Sequence, residues 1–132
     1  MEEIASDKIT EKIIASAFKV SNTLGIGFVE KVYENALTIK MRKDGLKVLQ
    51  QHPIRVEYED AIVGEFFADL LVEDRILVEL KAVSELTSEH LAQALNYLRA
   101  SGLEACLLIN FGKSHIQVRH LHPSPDWKAM KP

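Results

Sequence analysis

The chain has 132 residues, 47% hydrophobic and 27% charged, which suits one domain around one core and leaves no stretch with the composition of disorder. Its formal net charge of −3 argues against a broad basic face that coats long duplex DNA, although a cleft that gathers a cation could still take a nucleic acid. Cys106 is the single cysteine, which excludes an internal disulfide and a cysteine-built zinc site. Met1-Glu2-Glu3 carries no signal-type apolar core, and the apolar runs are too short to span a bilayer, so a reducing cytoplasmic setting is expected.

Residues 8–23 place Ile9, Ile13, Ile14, Ala17 and Phe18 at helical spacing, and Gly25-Ile26-Gly27 stops that helix. A second helix is predicted over 28–44, with Val29, Val32, Tyr33, Ala36, Leu37 and Met41 toward the core and Gly45 as its stop. Ile54, Val56 and Tyr58 alternate with Arg55, Glu57 and Glu59, which reads as a half-exposed strand. Two strongly apolar runs follow, Phe66–Val72 and Ile76–Lys81, joined through Glu73-Asp74-Arg75. Thr87 or Ser88 caps a third helix that ends near Gly102. Cys106–Ile109 is a short apolar strand, and Ile116, Val118 and His120 or Leu121 make an edge strand. A single domain is expected over residues 1–122, with 123–132 as a loose proline-rich tail that Trp127 could pin.

The order is α-α-β-β-β-α-β-β. An antiparallel meander precedes a crossover helix, and such a crossover sets the next strand parallel to an earlier one. An α/β fold with a mixed sheet flanked by helices is the expected outcome.

Asp69, Glu79 and Lys81 are the informative residues. They stand inside apolar runs, where a charge is costly unless something pairs with it. Alternation puts Glu79 and Lys81 on one face of their strand. A three-residue loop would pair Val72 with Ile76, Leu70 with Val78 and Asp69 with Glu79. A two-residue loop would shift the register and separate the two carboxylates. Opposed carboxylates repel unless a cation sits between them, so a divalent-cation site with a lysine beside it is expected. On the third helix His90, Gln93 and Tyr97 fall on one face, and Gln93 is unusual among packing residues. Glu30 and Tyr33 are three apart at the start of the second helix, where the positive helix end favours a carboxylate. The bland readings are surface charge for the strand residues and a core role with a bonded hydroxyl for Tyr33 and Tyr97. Cys106 reads as buried packing and His115, His120 and His122 as surface histidines. Gly25 and Gly27 read as a tight turn rather than a phosphate loop.

These residues together resemble the GxxExxY protein family of the PD-(D/E)XK nuclease superfamily. The name motif stands as Gly27, Glu30 and Tyr33, and the nuclease motif as Asp69 followed by Glu79-Leu80-Lys81. Gln93 and Tyr97 look like the Gln-x-x-x-Tyr signature of the RecB-like and lambda-exonuclease-like branch. Ala68 replaces the motif's proline, at a position that ligates nothing.

The resemblance implies a restriction-endonuclease-like αββ(β)αβ core and a Mg²⁺- or Mn²⁺-dependent nuclease acting on a nucleic acid, with DNA favoured only by the RecB-like branch. It implies Asp69 and Glu79 as metal-holding carboxylates, the Leu80 carbonyl as a further ligand, and Glu30 reaching in directly or through water. Lys81 would orient the attacking water or neutralise the phosphate. Gln93 would bond substrate, water or Lys81, and Tyr97 would position a phosphate or support Gln93. The alternative is a catalytically silent member that serves as a nucleic-acid-binding or protein-binding module. The low basicity also leaves room for a homodimer or a protein partner that supplies substrate grip.

Overall fold

The computed structural model describes residues 4–123. The expected tail, with Trp127, lies outside them but for Pro123. The elements in chain order are α1 (Ser6–Leu24), α2 (Glu30–Lys43), β1 (Val48–Tyr58), β2 (Ala61–Val72), β3 (Ile76–Lys81), α3 (Ser88–Ser101), β4 (Ala105–Asn110) and β5 (Gln117–Leu121). They form a five-stranded sheet in the order β1-β2-β3-β4-β5. All neighbours are antiparallel except β3 and β4, which α3 joins as a parallel pair. The α/β class, the mixed sheet and the crossover are therefore as the sequence implies.

The centre of the sheet, β3 and β4, is buried on both faces. Even-numbered Ile76, Val78 and Leu80 pack with α1 and α2, around Ile13, Leu37 and Tyr33. Odd-numbered Leu77 packs under α3 with Leu98, Ala94 and Cys106. Burial pushes the Cys106 thiol well above its ordinary pKa, so it is an inert packing group. No described helix is long and apolar enough to cross a membrane.

The helix ends follow local chemistry. The Thr87 hydroxyl accepts the His90 amide at 3.3 Å, and His90 Nδ1 accepts the Thr87 amide at 3.0 Å. This reciprocal cap accounts for His90 as a helix-start residue. Gly102 closes α3 in the left-handed conformation. Gly25 and Gly27 take positive φ in the α1–α2 turn, and the Tyr33 hydroxyl fixes that turn. It donates to the Gly25 carbonyl at 2.7 Å and accepts the Phe28 amide at 3.3 Å. Tyr33 is thus a core tyrosine with a satisfied hydroxyl, stacked on Phe111 at 4.9 Å.

Two expectations need correction. Val29, predicted to face the core, is 71% exposed, because α2 begins at Glu30 and Val29 is its extended N-cap. The strands β1 and β2 also start earlier and form a longer hairpin than Ile54–Tyr58 and Phe66–Val72 suggest. Their outer half projects beyond β3, whose pairing reaches only Leu70, and Tyr58, Ile62, Val63 and Phe67 are exposed there. Pro53 is tolerated because β1 is an edge strand.

Candidate functional site

The β2–β3 hairpin sets the geometry. Its loop is the three residues Glu73-Asp74-Arg75, with φ of 54° at Glu73 and 58° at Asp74. The Arg75 amide donates to the Val72 carbonyl at 3.0 Å. The register pairs Val72 with Ile76 and Leu70 with Val78, as the loop length requires. The ladder stops there, and the next pair is joined differently. The Asp69 amide donates to Glu79 Oε2 at 2.7 Å, and the Leu80 amide donates to Asp69 Oδ2 at 2.8 Å. Each carboxylate stands where a backbone carbonyl would continue the sheet.

The strands part here because the faces exchange. Leu70 and Val72 belong to the core under α1 and α2, whereas Ala68 belongs to the core under α3. On the neighbouring strand Val48 belongs to the first core and Ile54 to the second. Strict alternation would keep residues an even number apart on one face. The exchange falls at Gln51 and Asp69, between the pairs Gln50–Leu70 and His52–Ala68. Gln51 takes φ of 55°, a left-handed conformation uncommon for a glutamine.

A polar network backs this break. The Gln51 side chain bonds the Asp69 carboxylate, and its Nε2 donates to Glu34 Oε1 at 3.0 Å. Glu34, only 4% exposed on α2, also receives Gln50 Nε2 at 2.7 Å and Lys31 Nζ at 3.0 Å. Neither Glu34 nor Gln51 carries a signal in the sequence. Each reads as an ordinary polar residue of a helix or a strand.

Glu79 is 5% exposed, and burial together with the charge of Asp69 pushes its carboxyl up to about 8. Burial, with the charges of Glu34 and Glu30, also raises Asp69 against the lowering pull of the Leu80 amide. Lys81 lies beyond Glu79 on the α3 side of β3, and its Nζ donates to Gln93 Oε1 at 3.3 Å. Burial and the two carboxylates raise the Tyr97 hydroxyl, which keeps it a donor. Glu30 is exposed in the first turn of α2, near enough for its charge to act on both Asp69 and Glu79. Asp69, Glu79, Lys81, Gln93 and Tyr97 are therefore gathered at one place, with Glu30 at its edge.

The loop that carries the chain away from Lys81 is held by Asn110. This fully buried side chain accepts the Val83 amide at 3.0 Å and the Gly112 amide at 2.9 Å. Its Nδ2 donates to the Val83 carbonyl and to Gln117 Oε1, both at 2.9 Å. Gly112 is needed there, since a Cβ would lie 2.1 Å from the Val83 carbonyl oxygen.

The donor set suits a hard divalent cation. Two buried like-charged carboxylates disfavour their own ionisation, and a cation between them removes that penalty. The Leu80 N–H points toward Asp69, and in an extended strand the carbonyl of the same residue leaves on the same edge. Among the described residues no three His, Cys, Asp or Glu side chains converge as a ready cage. Mg²⁺ needs none, since it keeps several waters and takes one or two carboxylates.

A profile of the PD-(D/E)XK nuclease superfamily matches residues 7–121, from the first turn of α1 to the end of β5. A mixed sheet with an acidic pair where two central strands part defines the class of fold, and the chain belongs to the PD-(D/E)XK nuclease superfamily. No curated protein and no solved structure matches it.

Proposed function

We propose that this chain is a divalent-metal-dependent nuclease of the GxxExxY branch, cytoplasmic, hydrolysing phosphodiester bonds of DNA. The observation that carries the reading is the buried Asp69–Glu79 pair with the Lys81–Gln93 contact beside it. Structural carboxylates seldom stay buried together without a cation, whereas a phosphodiesterase site needs that arrangement. Mg²⁺ or Mn²⁺, when bound, supplies charge neutralisation at the phosphate and acidifies water.

Asp69, Glu79 and the Leu80 carbonyl would hold the cation, with Glu30 reaching in from the rim directly or through water. The Lys81 ammonium orients the attacking water and offsets negative charge that grows on the phosphate oxygens. Gln93 fixes the direction of the lysine, and the Tyr97 hydroxyl donates to a non-bridging phosphate oxygen. Water adds to phosphorus as the sugar oxygen leaves, giving a phosphomonoester and a free hydroxyl. Gln51 acts as a positioning residue that holds Asp69.

Calorimetric titration of Mn²⁺ into wild type and Asp69→Asn tests the site. Binding in wild type that is lost in the variant supports the reading. No binding together with no cleavage of any DNA overturns it in favour of a non-enzymatic binding module.

A further inference from the structure

Beside the acidic pair, a cleft of about 510 Å³ opens between the projecting β1–β2 hairpin and α3. Val56 and Phe66 form its hairpin wall, and Ala92, Gln93, Asn96 and Tyr97 its helix wall. Two of these, Gln93 and Tyr97, also belong to the candidate site, so the cleft and the acidic pair are continuous. Phe66 and Tyr97 are tilted against each other at 37° with centroids 5.5 Å apart, and Phe66 is still 43% exposed.

We propose that this cleft receives an unstacked nucleobase next to the scissile phosphate, which makes single-stranded or frayed DNA the substrate. The inference rests on the nuclease reading for the class of ligand. Its own support is the chemistry of the walls. Among the described residues no lysine or arginine lines the cleft, and Glu89 stands at it, so a phosphate backbone finds no partner there. An aromatic face with neutral amides suits a base instead. The side-chain amide of Asn96 matches the donor and acceptor edges of a base, and Glu89 can accept from an exocyclic amino group. The volume lies in the range of small-ligand sites. A chain of net charge −3 gains little from phosphate contacts, so base stacking carries the affinity.

The test measures anisotropy of a labelled single-stranded DNA 12-mer and of its blunt duplex, with Mg²⁺, on wild type, Phe66→Ala and Ala92→Trp. Asp69→Asn serves as an uncleaving background for each. Phe66→Ala removes the stacking wall from an exposed position, and Ala92→Trp fills the cleft from an exposed helix position, so at least one keeps the fold. A cooperative unfolding transition in urea identifies the folded variants. The expected result is tighter binding of the single strand than of the duplex, weakened about tenfold or more by each folded variant. Equal binding of both DNAs, or single-strand affinity unmoved by the substitutions, overturns the inference. Cleavage that persists with Phe66→Ala at wild-type efficiency would discard the base cleft and leave the nuclease reading standing. Phe66-dependent binding of single strands with no cleavage under any metal would do the reverse.

Discussion

The backbone amide of Asp69 donates to the carboxylate of Glu79 at 2.7 Å, so one acidic residue of the motif is anchored by the main chain of the other. The Leu80 amide returns the contact to Asp69 at 2.8 Å. Both carboxylates are oriented by backbone amides, and such rigidity is what a site for a small cation requires. The cost is two like charges in a buried place, and it gives a testable pH signature.

Glu79 ionises at about 8 in the folded chain and near 4.5 as an ordinary glutamate. The folded state therefore holds a proton that the unfolded state has released between those values. Stability from this group is complete below pH 4.5 and is lost as pH rises to about 8. Urea unfolding without metal should show that decline, and Glu79→Gln should flatten it. Added Mn²⁺ should raise the midpoint more at pH 8 than at pH 5, because binding requires the ionised carboxylates. A metal effect of equal size at both values would speak against Glu79 as a ligand.

Lys81 and Gln93 should behave as one unit. Lys81→Ala is expected to lower kcat about 10²-fold or more, with little change in the unfolding midpoint because its head is not buried. Gln93→Ala should reduce kcat by less, through loss of alignment. The double variant should be no worse than Lys81→Ala alone. Single-turnover cleavage of a labelled oligonucleotide measures all three. Additive losses would mean that Gln93 acts on substrate directly.

The Asn110 side chain bonds neither the acidic pair nor the Lys81 side chain, although Asn110 pairs with Lys81 across β3 and β4, and its four hydrogen bonds hold the segment that follows Lys81. Asn110→Ala would strip buried partners from Val83, Gly112 and Gln117, a loss of about 3 kcal/mol in urea unfolding. A shift of a few tenths would show that the loop finds other partners. Mn²⁺ affinity at a temperature where the variant is folded should fall little, which separates this structural role from that of Asp69.

Much of this site was legible along the chain because its signals are local. The loop of three residues fixes the β2–β3 register, and ionisable residues within apolar runs mark Asp69, Glu79 and Lys81. Thr87 and Gly102 mark the ends of α3, and helical spacing then brings Gln93 and Tyr97 to one side. What escaped depends on tertiary contacts. The exchange of faces at Gln51 and Asp69 has no sequence mark, since neither glycine nor proline occupies the break. Glu34 sits where helical periodicity places an ordinary polar residue, and Lys31 together with Gln50 and Gln51 makes its burial tolerable. The outer half of the β1–β2 hairpin is apolar without being buried, so alternation does not delimit it. Asn110 ends an apolar strand like any polar residue, and its role appears only once β3 and β4 lie side by side.

The most direct measurement is cleavage of 5′-labelled single-stranded and duplex DNA by wild type and Glu79→Gln, with Mg²⁺, Mn²⁺ or EDTA. Metal-dependent products from wild type, abolished by EDTA and by Glu79→Gln, are the predicted result. Products that persist in EDTA or in the variant, or a wild-type chain that binds Mn²⁺ but cleaves neither DNA, would contradict a metal-dependent DNA nuclease centred on Asp69 and Glu79.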